Sequence, residues 1–252
     1  MIRDMSKKYV VYTALFGSYD NLPDVSACTS PEVDFICFTD SDFESDKGWE
    51  VVKVDNQNLT SAMRNRYYKL NPHAVFSDYT YSLYIDSNIK LSGDPKDIFE
   101  KYMNEYTFVM PKHADRVCIF KEAKECIIQK KGNKLAITKQ MQKYKNEGMP
   151  EGYGLGENNI LLRRHNDAHI IKIMNDWWNE LQTQSQRDQL SLAYVLWRNN
   201  TTFSFMEETC RNNNLFFKYQ PHKNYQSRNL FNKLKDRISL LIRRTIYFRW
   251  CP

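Results

Sequence analysis

The chain has 252 residues, 42% hydrophobic, 14% aromatic and 26% charged, the profile of a soluble globular protein with room for one large α/β domain. It holds no apolar run of about 18 residues and no charged-then-apolar start with a small-residue cleavage site, which argues against a spanning helix or secretory signal and leads us to expect a cytoplasmic protein. Net charge is +6, all of it in residues 226–252, which carry seven basic residues and one acidic; residues 1–225 sum to zero, so a nucleic-acid partner is not expected.

In chain order, "KKYVVYTALFG" predicts a first strand, Tyr9 to Leu15, and "GSYDNLPD" a loop directly after it. "DFICFTD" and "WEVVKVD" predict two more strands, each ending in Asp (Asp40, Asp55). "TSAMRNRYYKL" predicts a helix capped by Thr60 or Ser61, bearing Arg64, Arg66 and Lys69, and stopping before Pro72. A strand over 81–86, a helix in "DPKDIFEKYM" and a strand in "YTFVM" follow. Residues 119–147 predict two helices broken at Gly132-Asn133, and "ENNILLRR" a strand. "NDAHIIKIMNDWWNEL" repeats apolar residues at helical spacing, with Trp177 and Trp178 as core, and "SQRDQLSLAYVLWRNN" predicts a helix opened by Ser185. Strands that end in acids with helices between them predict a mostly parallel sheet with a ligand crevice at that edge.

The cysteines Cys28, Cys37, Cys118, Cys126, Cys210 and Cys251 form no C-x-x-C pair, so reduced thiols are expected rather than a zinc ribbon or disulfide scaffold. His165 and His169, at i and i+4 without a Glu between them, read as a solvent-facing pair. The last segment places Phe231, Leu234, Ile238, Leu241, Ile242 and Phe248 on one helical face with basic residues largely opposite. That pattern fits a helix lying on an anionic membrane or one docked on the body. The organisation expected is a domain over 1–225 followed by a basic amphipathic helix or tail over 226–252.

"YSLYIDSNIKLSGD" ends an apolar strand in Asp86, followed by Ser87 and Asn88. In extended backbone Asp86 and Asn88 point to one side, which suits a hard divalent cation; an Asx turn explains the triplet equally well. Its company is more specific. "YTALFGSYD", "CFTD", "RNRYYKLNPHAVF", "YSLYIDSNI", "HADRVCIFKEA", "GLGENNILLRRH" and "RDQLSLAYVLW", spanning residues 12 to about 197, resemble the nucleotide-sugar glycosyltransferases of the GT-A fold. The pattern is most similar to the family filed as domain of unknown function six-one-six, seen in bacterial polysaccharide loci and plant Golgi proteins.

The resemblance implies a GT-A-like, mostly parallel mixed sheet flanked by helices. It implies transfer of a hexosyl group from a nucleotide-diphosphate sugar to a glycan or lipid-linked acceptor, in surface polysaccharide (O-antigen or capsule, lipopolysaccharide) synthesis; the basic tail would then keep such an enzyme peripheral on the inner membrane face. Thr13, Ala14, Phe16 and Tyr19 would lie under the nucleotide, with Asp40 nearby. Asp86 and Asn88 would occupy the D-x-D metal motif for Mn²⁺ or Mg²⁺, with His222 completing the shell. Asn at the second acidic position adds no charge, which leaves metal dependence open. Arg64, Lys69 and Lys223 would meet the diphosphate, where charge grows in the transition state. Glu157, behind a glycine-rich "GYGLG" that would let backbone approach a ligand, and Asp188 with Gln189 would act at the sugar; whether the enzyme inverts or retains stays open. His113, Arg116 and Glu122 take acceptor or structural roles. The alternative is a catalytically inactive sugar-binding or scaffold protein with the same fold.

Overall fold

The computed structural model describes residues 8–18, 20–28, 30–43, 45–55, 58–223 and 230–250, the last segment with some of its side chains left aside. Nine strands, numbered in chain order, are β1 (Tyr9–Leu15), β2 (Val33–Thr39), β3 (Glu50–Lys53), β4 (Tyr81–Ile85), β5 (Ile89–Leu91), β6 (Phe108–Pro111), β7 (Ile160–Arg163), β8 (Phe205–Met206) and β9 (Phe217–Tyr219) among the described residues. The helices are α1 (Ser61–Leu70), α2 (Pro72–Val75), α3 (Pro95–Tyr102), α4 (Ile119–Ile128), α5 (Lys134–Asn146), α6 (Ala168–Thr183), α7 (Leu192–Arg198) and α8 (Leu230–Trp250).

Seven strands form one sheet in the order β3-β2-β1-β4-β7-β6-β8. Only β7 runs antiparallel to its neighbours, β4 and β6; the other pairings are parallel. This is the mostly parallel mixed sheet flanked by helices that the GT-A resemblance implies. The two remaining strands, β5 and β9, pair as a separate antiparallel ribbon.

All seven residues of β1 are buried because both sheet faces are covered. Alternate side chains serve opposite faces: Val10, Tyr12 and Ala14 join a core with Met63, Ile173 and Trp177, while Tyr9, Val11 and Leu15 join one with Ile98 and Phe99. Four helix starts are fixed by short polar side chains. Thr60 accepts from the Met63 N–H, Asp94 from Lys96, Asn133 from Ala136 and Asp167 from His169 and Ile170. Each such cap contributes about 1 kcal/mol.

From β1 the chain passes to β2 and β3 on one side, then returns to β4 on the other. The carboxyl ends of β1 and β4 therefore flank the switch point at which α/β sheets open a ligand crevice.

The structure departs from the sequence reading at four places. "SQRDQLSLAYVLWRNN" is not one helix: Asp188–Leu190 is a separate 3-10 turn before α7, Gln186 takes a φ of 57°, and the Ser185 hydroxyl caps nothing, being buried without a hydrogen-bond partner. His165 does not face solvent. It is fully buried, its Nε2 is 2.8 Å from the Phe76 carbonyl, and burial pushes its pKa down to about 4. Two of the three glycines of "GYGLG" make room for the protein itself: a Cβ on Gly154 would stand 2.6 Å from the Phe203 ring, and one on Gly156 2.4 Å from Met110 Sδ. Trp177 is core as expected, but Trp178 is only partly buried, edge-on to Tyr67. The five described cysteines are free and buried.

Candidate active site

At the carboxyl end of β4, Asp86 donates its backbone N–H to the Asn159 carbonyl at 2.8 Å and accepts at its own carbonyl from Ile89 N–H. Ser87 and Asn88 thus form the turn between β4 and β5, so the extended geometry that would aim Asp86 and Asn88 to one side is absent. The hydrogen bonds of the Asp86 carboxylate fall on Oδ1, from Tyr84 at 2.8 Å and from Lys69 Nζ at 3.5 Å. Asn88 has a different partner, its Nδ2 lying 3.3 Å from His222 Nε2.

His222 arrives on the chain leaving β9, and its Nδ1 lies 2.5 Å from Asp20 Oδ2. Asp20 also accepts from Ser87 Oγ at 3.3 Å and from the Lys223 backbone N–H at 3.0 Å. It thereby joins the loop after β1, the β4–β5 turn and the segment after β9. A buried carboxylate on Nδ1 favours the tautomer whose Nε2 carries the lone pair, here facing Asn88 Nδ2, the usual arrangement behind a metal-ligating imidazole. Asp20, Asn21, Ser87, Asn88, Tyr219, Gln220, Pro221 and Lys223 line a cleft of about 270 Å³ at this place.

Among the described residues no three His, Cys, Asp or Glu side chains converge closely enough to hold a metal ion. The set from Asp86, Asn88 and His222 holds one carboxylate, one amide and one imidazole. Its oxygen-rich chemistry, with Asp20 orienting the imidazole, fits Mg²⁺ or Mn²⁺.

Behind the cleft lies a buried ion cluster. Lys69, 2% exposed, puts Nζ 2.7 Å from Asp188 Oδ2, and Arg66 Nε is 3.6 Å from Oδ1 of the same carboxylate. Burial of Asp188 opposes its ionisation, but Arg66, Lys69 and Arg187 outweigh that and hold the carboxyl well below the usual carboxylate range. Such a carboxylate is a weak general base at neutral pH. Lys69 is anchored from behind: its carbonyl accepts from Tyr12 at 3.2 Å and from the fully buried Arg163 at 2.8 Å. Its charge is committed to the two aspartates, which corrects the expectation that it would meet a diphosphate.

Thr13, Ala14 and Phe16 are buried beneath the cleft, their side chains packed inside the protein, and the Ala14 carbonyl accepts from Asn65 at 2.6 Å. The exposed part of this stretch is instead the turn after β1, at Gly17 and Ser18. There Gly17, at φ 70°, donates its N–H to both oxygens of Asp40 at 3.0 and 3.2 Å, and Asp40 pairs with Arg64 at 2.9 Å. Arg64 also stacks over Phe16, 5.0 Å from the ring centre, so neither it nor Lys69 belongs to a solvated helix face. Tyr19, expected in the same loop, lies outside the described residues.

On the far side of Asp86, Glu157 is buried, with Oε1 2.5 Å from Arg211 Nε and Oε2 without a hydrogen-bond partner. Both side-chain amide atoms of buried Asn158 and the Oδ1 of Asn159 are likewise unpartnered. Gln189 donates to the Gly156 carbonyl at 2.5 Å, next in sequence to Glu157. His113 Nδ1 accepts from the Asp115 and Arg116 N–H groups, while Glu122 accepts from Arg116 and lies 3.6 Å from His113 Nε2. That set holds the loop after β6 onto α4, a structural role.

Sequence reasoning missed Tyr84, Arg66 and Asn158, and the contact of Asp20 with His222. Only Arg66 carried a signal, since it lies three residues before Lys69 and so on the same helix face. Asp20 reads as an ordinary loop acid until the fold brings His222, 202 positions away, onto it.

A family model for the TOD1/MUCI70 glycosyltransferase-like domain matches residues 2–222. The chain is 28% identical over 214 residues to the probable hexosyltransferase MUCI70 of Arabidopsis thaliana, covering 74% of this chain and 36% of that protein. It is 26% identical over 162 residues to the alkaline ceramidase TOD1 of the same plant, covering 58% and 35%. The chain thus spans about a third of the length of these curated relatives. Similar solved structures include the glycosyltransferase GlyE of Streptococcus pneumoniae TIGR4 (TM-score 0.43, 14% identity, 80% of this chain and 45% of that one). Another is the galactosyltransferase LgtC in complex with donor and acceptor sugar analogs (TM-score 0.44, 12% identity, 78% and 72%). With its match running through every strand of the sheet and ending at His222, the chain belongs to the TOD1/MUCI70 glycosyltransferase-like domain family.

Proposed function

We propose that this chain transfers a hexosyl group from a nucleotide-diphosphate sugar to a glycan or lipid-linked acceptor. The observation that carries this reading is the cleft at the switch point, where the turns after β1 and β4 meet the His222 segment beside a cation-backed carboxylate cluster. The family supports the reaction class, and a similar solved structure, LgtC, is described with donor and acceptor sugar analogs.

The residues divide by chemistry. Gly17, Asp40 and Arg64 form the rigid turn against which base and ribose rest. Asp86, Asn88 and His222 would hold Mg²⁺ or Mn²⁺, which when bound neutralises charge on the departing diphosphate. Asp20 orients His222, and Lys223, whose backbone Asp20 fixes, places a mobile ammonium at the cleft. Lys69, Arg66 and Asp188 hold Asp86 in place from behind. Glu157, Asn158 and Gln189 face the sugar end: unpartnered buried polar atoms call for ligand hydroxyls or ordered water.

The curated relatives are plant proteins, which does not support the O-antigen or capsule pathway that the resemblance implies. Isothermal calorimetry with a panel of nucleoside diphosphates and their sugars, with and without Mn²⁺, tests the proposed reaction on wild type and Asp86→Ala. Metal-dependent binding of one nucleotide, lost in the variant, is expected. A folded protein that binds none of them would overturn it in favour of the inactive scaffold, and cleavage of a ceramide without nucleotide binding would replace it with the chemistry named for TOD1.

A further inference from the structure

Helix α8 docks on α4 by its basic side. Arg243 donates to the Ile128 carbonyl at 3.0 Å and Arg244 pairs with Glu125 at 2.5 Å. At 3.6 residues per turn, Leu234, Ile238, Leu241 and Ile242 share one side of the helix, roughly opposite Arg243, with Arg244 on the flank between. They are 55%, 50%, 61% and 54% exposed. A helix docked on a globular body normally turns its apolar stripe inward; here Arg243, Arg244 and the partly buried Leu240 are inward, and the four-residue stripe points away.

Exposed Lys235 and Arg237 border that stripe, one on each side, and residues 226–252 carry the whole +6 of an otherwise neutral chain. No described helix is long and apolar enough to cross a membrane. Apolar side chains facing outward between basic edges match an anionic lipid surface, with acyl chains opposite the stripe and headgroups opposite the flanks.

We propose that α8 lies flat on an anionic membrane through Leu234, Ile238, Leu241 and Ile242, with Lys235 and Arg237 on the headgroups and Arg243 and Arg244 tethering the body. Charge selects this occupant over a second copy of the chain. Two copies meeting on this face would oppose one +6 segment to another, whereas phosphatidylglycerol supplies the missing anions. The surface goes beyond the proposed reaction, and its binding is read without any turnover.

The test is co-sedimentation of the full chain with vesicles of phosphatidylcholine alone or mixed with phosphatidylglycerol. Binding is expected to the mixed vesicles only and to weaken with salt. Ile238→Asp/Leu241→Asp should abolish it, and Lys235→Glu/Arg237→Glu should weaken it by about fivefold or more per charge. These positions are exposed, so both variants should melt like wild type. Failure of wild type to bind the mixed vesicles, or equal binding by the Ile238→Asp/Leu241→Asp protein, would overturn the proposal. So would a wild-type dimer in sedimentation velocity that becomes monomeric in that variant, since the stripe would then be covered by a second copy.

Discussion

Asp188 looks like a catalytic acid in the sequence and like an anchor in the structure, and Asp188→Asn separates the two. The substitution keeps the shape and removes the charge, leaving Lys69, 2% exposed, with Asp86 at 3.5 Å as its remaining carboxylate partner. Breaking one side of a buried ion pair costs about 3 to 5 kcal/mol. For a chain of this size that corresponds to a Tm lower by about 10 °C. Replacing both partners, Lys69→Met with Asp188→Asn, should recover about half or more of that loss, because no uncompensated charge remains between them. The folded pKa of Asp188 lies far below its ordinary 3.8, so its stabilisation is complete at neutral pH and fades only as pH falls below about 4. Differential scanning calorimetry of the two variants at neutral pH is the assay. An Asp188→Asn protein as stable as wild type would refute the anchoring role, and one that was stable yet inactive would return Asp188 to the reaction itself.

Three further outcomes follow from single contacts. His165 stays neutral when folded, its pKa pushed from 6.5 to about 4 by burial, whereas the unfolded chain takes up a proton. Stability should therefore decline by up to about 3 kcal/mol as pH falls from 6.5 toward 4, and urea titrations of His165→Gln should show a shallower acid slope. Gly17→Ala places a Cβ 2.9 Å from Ser61 Oγ at a positive φ, so unfolding should become easier by about 1 to 2 kcal/mol; unchanged stability would mean the turn relaxes. Asn158→Ala should leave the affinity for a nucleoside diphosphate unchanged while weakening the nucleotide sugar by about tenfold, as loss of one or two hydrogen bonds implies; equal weakening of both would remove Asn158 from the sugar end.

The sheet was legible because its strands are continuous buried runs and its helices start at short polar caps: "YVVYTAL" and Thr60, Asp94, Asn133 and Asp167 are local signals that the fold obeys. The ribbon of β5 and β9 was not, since three-residue strands 126 positions apart become strands only by pairing. The order of acids along the chain located the crevice, but not the partner of each. Asp86 and Asn88 take different partners because a turn replaces extended backbone, and Lys69 faces inward because Tyr12 and Arg163 hold its carbonyl from the core. His165 misled for the same reason: the i, i+4 spacing says nothing of a neighbour such as Phe76, 89 residues away.

The central claim is sugar transfer, and the most direct measurement is release of nucleoside diphosphate from a panel of nucleotide sugars by the purified chain with Mn²⁺. The account predicts that one donor is consumed, that Asp86→Ala and His222→Ala lose this, and that Lys223→Ala slows it while keeping its Tm. No release from any donor, by protein that melts cooperatively and binds the nucleotide, would contradict it.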